Sequence, residues 1–284
     1  MGIFNWLFGG KKYSKEFIKE NTNNIFERFE NINANISVEL NNIFIDKNSK
    51  LTNLVGEILL KKNDVISAEI RSKINNKNDF SLSIKTNSRD EKVTNLFIEE
   101  PEPFIKNYKF IKGFTEGKLS YGSIEKNNET KANLKIFDFK VQDVPVLAKL
   151  LTLASLQGIA DLLTGEGIRF NEFEMNYQSK QSFTNINEMY AIGPAISILM
   201  EGYIEKNNLI SLRGTLVPAT TINKTISKIP LLGDILVGKK VGEGVFGVSF
   251  KIKGPPKDLK TYVNPIKTLT PRFITRTLEK LQKN

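Results

Sequence analysis

Residues 144–170 read VPVLAKLLTLASLQGIADLLTGEGIRF, and the first twenty of them place apolar side chains on nearly every side of a helical wheel. Only Lys149, Thr152, Ser155, Gln157 and Asp161 interrupt that surface, so a helix here must be covered rather than lie with one face in water. Its length suits a membrane span. Lys149 and Asp161 oppose one, because each costs ~2.5 to 3.5 kcal/mol at mid-bilayer. The expected arrangement is a helix over about 144–164 that packs on a sheet or lies at a lipid boundary. Leu147, Leu150, Leu151, Ile159, Leu162 and Leu163 are then its membrane- or partner-facing positions. Pro145 fits the first turn, and Gly165 and Gly167 stop the helix before a strand that starts at Ile168.

On both sides of this stretch the period of the apolar residues is two. Upstream, Ile36, Val38 and Leu40 alternate with polar neighbours, as do Phe80, Leu82 and Ile84, and then Ala132, Leu134 and Ile136. Clusters at 61–64, 75–79, 87–90 and 126–129 are spaced as hairpin turns, and their lysine and asparagine are read as solvated-turn composition without function. Downstream, Phe173, Met175 and Tyr177 share a strand face. So do Ile198 and Ile204, with Lys206-Asn207-Asn208 as the turn before Ile210, Leu212 and Leu216. A last strand places Phe246, Val248, Phe250 and Ile252 on one face and ends at Gly254-Pro255-Pro256.

A second apolar helical excursion is expected over about 220–237. Ile222, Ile226 and Ile229 form a stripe that Pro230 breaks, and Leu231, Leu232, Ile235 and Leu236 continue it. The pattern at Phe17, Ile18, Ile25, Phe26, Phe29 and Ile32 predicts a helix over about 13–31. The tail opens on an Asn264-Pro265 turn and continues as a basic helix containing Phe273, Ile274, Leu278 and Leu281. The expected division is therefore a helical or linker segment over 1–33, an antiparallel sheet over 34–143, helix, strands, helix and strand over 144–262, and a basic helix over 263–284.

Composition narrows function. The 284 residues include no cysteine and no histidine, which removes disulfides, thiolate and imidazole metal ligands, and every Ser-His or Cys-His catalytic pair. The 31 acidic residues are scattered among lysines, and no carboxylate pair stands out for acid–base chemistry. No enzyme activity, cofactor or metal is expected. A net charge of +10 and a pI near 9.4 favour polyanions. The charge alone does not choose between nucleic acid and an anionic membrane surface; no nucleic-acid-binding motif accompanies it, so the membrane surface is the expected partner and DNA or RNA a minor alternative resting on charge alone. The glycine-rich run Gly238-Lys239-Lys240-Val241-Gly242-Glu243-Gly244 lacks phosphate-loop spacing and reads as a connector. The start, MGIFNWLFGGKK, has its basic residues after the apolar cluster, unlike a signal peptide, and Trp6 stands where a myristoylation signal needs Ser or Thr.

Three blocks in order carry a resemblance. Phe137-Asp138-Phe139 leads through VQDVPVLAKLLTLASLQGIADLLTGEGIRF; LRGTLVPATTINKTISKIPLLGDILVG follows, and then GEGVFGVSFKIKGPPKDLKTYVNPIKTLTPRF. Together they span residues 137–273 and resemble the C-terminal region of the AsmA-like family of envelope proteins (the AsmA/TamB/YhdP type). Leu259 departs from that pattern, where a proline often follows the Gly-Pro and acidic residues. No N-terminal membrane anchor is read from the sequence, so the chain resembles either the distal part of a longer anchored protein or a short stand-alone version.

The resemblance implies a mainly β fold with a few helices: an elongated, curved antiparallel sheet that forms an apolar groove, with two apolar helical excursions and terminal helices. It further implies a non-enzymatic lipid-transfer module in the periplasm, associated with the inner membrane or bridging toward the outer one, with phospholipid acyl chains and envelope proteins as partners. The groove positions expected on that basis are Phe173, Met175, Tyr177, Ile198, Ile204, Leu212, Leu216, Phe246, Val248, Phe250 and Ile252, and Phe273 joins the helical residues above as a membrane or partner contact. A structural envelope scaffold that docks without carrying lipid is the alternative. Physics requires only that the apolar face be covered, since leaving a large apolar side chain in water forfeits ~1.5 to 3 kcal/mol. The protein's own helices and acyl chains both satisfy that requirement.

Overall fold

The computed structural model describes residues 32–106, 112–218, 247–256 and 258–266. The expectations for the N-terminal helix, the excursion at 220–237 with Leu231, Leu232, Ile235 and Leu236, Phe246, and the tail with Phe273 lie outside the described residues.

The described chain is mainly β. Its strands are β1 (Ala34–Phe44), β2 (Lys50–Lys61), β3 (Asp64–Ile74), β4 (Asn78–Thr86), β5 (Lys92–Ile98), β6 (Lys112–Lys126), β7 (Glu129–Gln142), β8 (Ile168–Lys180), β9 (Phe183–Ile192), β10 (Ile196–Glu205), β11 (Leu209–Pro218), β12 (Gly247–Gly254) and β13 (Lys260–Ile266). They follow one another in a single hydrogen-bonded order from β1 to β13, so connections are local and the strands antiparallel. Helix α1 (Glu102–Ile105) lies between β5 and β6, and α2 (Pro145–Leu153) and α3 (Gln157–Thr164) lie between β7 and β8. The chain divides into two compact units, one of residues 1–139 with 178–181 and the other of 140–177 with 182–284.

In the first unit the hairpins are set by their turns. Lys62 and Asn63, Asn75 and Asn76, and Asn127 and Asn128 all have φ between 49° and 65°. Two consecutive residues of positive φ give the mirror-image turn whose twist matches the flanking strands, and asparagine tolerates that conformation. The turn asparagines thus have a structural role that their reading as surface composition missed. Asn63 does more, since its side-chain oxygen accepts from the Ile32 backbone N–H at 2.9 Å and fixes the entry to β1.

Bulges adjust the faces. Thr52 lies opposite Lys73 and Val55 opposite Arg71, which leaves one extra residue in β2 at Asn53 and Leu54, with Asn53 at φ 50°. The bulge is pinned by polar bonds: the Ser72 hydroxyl donates to the Thr52 carbonyl at 2.8 Å, and the Thr52 hydroxyl donates to the Lys73 carbonyl at 3.1 Å. Odd-numbered Leu51 is consequently opposite Ile74 on the same face as even-numbered Gly56 opposite Ile70. Helix α1 buries Pro103 and Ile105 and stacks Phe104 on Phe80, with ring centroids 5.8 Å apart.

In the second unit two expectations are corrected. The helix expected as one piece over 144–164 is two, because Ser155 takes φ 58° and the chain closes with Ser155 N–H on Thr152 O and Leu156 N–H on Leu151 O before α3 begins. The expected ends hold, with Pro145 at the first helical position and a strand starting at Ile168. Val263, Asn264 and Pro265, expected as a turn entering a basic helix, belong to β13 instead. Proline within a sheet is confined largely to edge strands, and β13 is a terminal strand of the order.

Candidate functional site

Cross-strand registers in the first unit place apolar residues in rows that run across six strands. One row is Val38, Gly56, Ile70, Leu82, Leu96 and Tyr121, each directly opposite the next. The neighbouring row is Ile36, Ile58, Ala68, Ile84, Thr94 and Ser123. The row between them on the reverse face is Ser37, Glu57, Glu69, Ser83, Asn95 and Gly122. That reverse face is mixed and open to water: the Ser83 hydroxyl, with Arg71 at 3.3 Å and Lys85 at 3.7 Å, holds the Glu69 carboxyl below its ordinary value, and Val55, Phe97 and Ile124 are exposed on the same side.

The apolar rows are not sealed. Ile36 is 39% and Leu40 45% exposed, and Val38, Ile58, Ile70, Leu82, Ile84 and Leu96 are all half-buried. Six strands at ~4.8 Å spacing make this face ~24 Å wide. One leaflet of a bilayer, half of a ~30 Å hydrocarbon core, holds acyl chains that reach ~15 Å. The rows are therefore longer than one leaflet's hydrocarbon is thick.

The second unit carries most of the groove positions named from the sequence, and their registers put seven on one face. Ile198 is opposite Leu216, Leu216 opposite Val248, Leu212 opposite Ile252, and Phe250 opposite Gly214, while Ile204 occupies the same parity in β10. Shared orientation does not leave them open. Ile204, Leu216, Val248, Phe250 and Ile252 are buried, and Ile198 and Leu212 are half-buried. In β8, Met175 and Tyr177 are buried and Phe173 is half-buried. The buried ones act as core, while Phe173, Ile198 and Leu212 are covered only to the same degree as the half-buried residues of the first unit. The reverse face is polar, with Arg213 paired to Glu201 at 2.6 Å and Lys251 exposed beside them.

Of the helical positions, Leu147, Leu150, Leu151 and Leu163 are buried, Ile159 is half-buried and Leu162 is exposed. Leu153, not named from the sequence, is 48% exposed. Helix α2 packs against α3 and β13, and the Gln142 amide donates to the Gly165 carbonyl at 2.6 Å where α3 ends. Among the described residues no helix is long and apolar enough to cross a membrane, and no group of acidic side chains could hold a metal ion.

One polar cluster was not visible in the sequence. Glu172 and Glu174, two apart on β8, share a face, and both carboxylates meet the hydroxyl of Tyr190 on β9, at 2.7 Å and 2.5 Å. Burial, with those two carboxylates, pushes the phenol far above its ordinary range. Tyr190 reaches this face because β9 holds an extra residue between Ile186, opposite Gly202, and Met189, opposite Met200. Without that bulge Tyr190 would share the face of Ile186. The cluster ties β8 to β9 through charge-assisted bonds.

Comparison with protein-family models, with curated proteins and with solved structures finds no match for this chain.

Proposed function

We propose that this chain is a non-enzymatic lipid-binding module of the bacterial envelope and that the apolar rows of β1–β6 are its lipid-holding surface. One observation carries the proposal: the row Val38, Gly56, Ile70, Leu82, Leu96 and Tyr121 is continuous across six strands, and its large apolar members are half-buried. A face of this kind stays in solution when a ligand covers it. Acyl chains suit it because they need no directional bonds, and the rows offer few polar groups to supply any. The AsmA-like resemblance supports this reading, and on it the proposed setting is the periplasm, with phospholipid moving between membranes. The +10 charge supports anionic phospholipid as the cargo or the surface visited.

The test is direct. Protein purified from an expressing bacterium is extracted and its lipid quantified, and the stripped protein is titrated with a fluorescent phospholipid. Bound phospholipid at a defined molar ratio, lost in an Ile70→Asp, Leu82→Asp variant that remains folded, is the expected result. Lipid-free protein that also takes up no fluorescent lipid overturns the proposal.

The scaffold reading retains one supporting observation, the exposure of Leu153 and Leu162 on the helical pair beside exposed Lys149. Flotation with anionic vesicles separates the two. Docking that is lost in a Leu153→Ser, Leu162→Ser variant, without any extraction of lipid, favours the scaffold.

A further inference from the structure

We propose that β1 is an interaction edge that pairs with β1 of a second copy of this chain, antiparallel about a twofold axis through Val38. The inference does not rest on the lipid reading. It starts from how the two terminal strands of the hydrogen-bonded order are treated. Strand β13 carries Lys260 and Pro265, and α2 packs against it, which are common ways of protecting an edge. Strand β1, ANISVELNNIF, has no lysine and no proline, and it pairs with β2 in one unbroken register from Ala34 opposite Leu60 to Phe44 opposite Lys50. No partner occupies its other side among the described residues. A long, regular edge with exposed Ile36, Leu40 and Phe44 offers backbone donors and acceptors beside apolar side chains.

The choice of a second copy comes from the self-complementarity of this strand. Pairing about Val38 sets Val38 on Val38, Ile36 on Leu40 and Leu40 on Ile36, so the apolar rows of one copy continue into those of the other. On the reverse face Glu39 meets Ser37. Shifting the axis to Glu39 sets two like charges directly opposite each other and Ile36 on Asn42, both unfavourable. Shifting it to Leu40 pairs Leu40 with Leu40 and Ile36 with Phe44 but sets Val38, at the centre of the row, on Asn42, whereas pairing about Val38 sets Asn42 on the small Ala34 and leaves Phe44 beyond the end of the paired strands. A pair formed this way is isologous and closes on itself.

The chain contains no cysteine, so a single introduced one reports the register without interference. Directly opposite residues of an antiparallel pair have Cα atoms ~4.5 to 5.5 Å apart, within disulfide reach. Under the proposed pairing Leu40 of each copy is four residues from its counterpart along the strand, ~14 Å and beyond bridging. Sedimentation of the full chain over a range of concentrations is expected to show a dimer. The Val38→Lys and Ile36→Lys variants should be folded monomers by circular dichroism, and oxidised Val38→Cys, but not Leu40→Cys, should run as a covalent dimer. A monomer at every concentration overturns the proposal, as does cross-linking of Leu40→Cys as fast as Val38→Cys. Protection of β1 amides from exchange in a monomer overturns it too, by showing that this chain covers its own edge. Because the readout is mass and not lipid content, failure here leaves the lipid reading standing.

Discussion

Phe250 lies directly opposite Gly214 across β11 and β12, and its ring occupies the space where a side chain at 214 would begin. A Cβ on Gly214 would stand 2.5 Å from the Phe250 Cζ and 2.2 Å from the Leu199 carbonyl oxygen. The carbonyl cannot move without disturbing the β10–β11 ladder. Gly214→Ala is therefore expected to destabilise by ~1 to 3 kcal/mol, the usual cost of overpacking. Gly122 is the internal control, since a Cβ there would meet only the Asn95 side-chain oxygen, at 3.7 Å. Gly122→Ala should leave stability unchanged or raise it by up to ~1 kcal/mol. Urea unfolding of the two variants measures the contrast.

Tyr190 gives a prediction in pH. Its folded-state value is raised, first by burial and then by Glu174 and Glu172, so the folded protein keeps the phenol proton where the unfolded chain releases it. The stability from this group is complete below about pH 10, the unfolded value, and declines as pH rises above it, by up to ~1.4 kcal/mol per pH unit. Tyr190→Phe should cost ~1 to 3 kcal/mol at neutral pH, because the two carboxylates lose the hydroxyl that lies between them and supplies one proton to the pair. The variant should also lose this tyrosine's share of the alkaline decline. Thermal melts from pH 7 to 11 on both proteins measure it.

Much of the fold could be read from the sequence, and what could not has a common cause. Alternation at Ile36–Leu40 and Phe80–Ile84 identified β1 and β4, and the shared face of Ile198, Leu212, Leu216, Val248, Phe250 and Ile252 emerged in register. Alternation identifies a face; whether that face is open depends on what packs over it, a tertiary fact. A groove is therefore expected from alternation at Val248 and Phe250, which are buried, while Ile70 and Leu82, proposed above as the lipid-holding surface, are half-buried. Bulges hide in the same way. One extra residue in β9 reverses the parity after Ile186, and the convergence of Tyr190 on Glu172 and Glu174 cannot be seen without it. The spacing of the two glutamates, at i and i+2 on a strand, was the available signal. Strand β13 was missed because Asn264-Pro265 reads as a turn, and the break at Ser155 because nothing local demands a positive φ there.

The β6–β7 turn tests the role of asparagine. Asn127 and Asn128 have φ of 51° and 60°, a conformation that costs a β-carbon-bearing residue ~1 to 2 kcal/mol and a β-branched one the most. Asn128→Val should lower stability by about that amount, and Asn128→Gly should be within ~0.5 kcal/mol of the parent. Equal losses in the two variants, read by chemical denaturation, would mean that the asparagine side chain and not its backbone freedom matters.

Burial also decides where a charge can be introduced as a probe of lipid binding. Val248 is fully buried, so Val248→Asp places a carboxylate against packed side chains and is expected to unfold the protein or cost at least ~3 kcal/mol. Ile70 and Leu82 are half-buried opposite each other on β3 and β4, where an aspartate can reach water, so each substitution should cost ~1 to 2 kcal/mol, less than Val248→Asp, with a further ~0.2 to 1 kcal/mol in the double variant because the two carboxylates face each other. Bound lipid has the reverse sensitivity. Two carboxylates in the middle of the rows lie in the path of any acyl chain crossing from β1 to β6, and each opposes burial beneath hydrocarbon. Ile70→Asp with Leu82→Asp should therefore reduce phospholipid uptake at least tenfold with a cooperative melt preserved. A carboxylate on the reverse face, Ser81→Asp opposite Arg71, should leave uptake within twofold of the parent. Fluorescent-lipid titration of the three proteins distinguishes the faces, and equal uptake by all of them would exclude the β1–β6 rows as the binding surface.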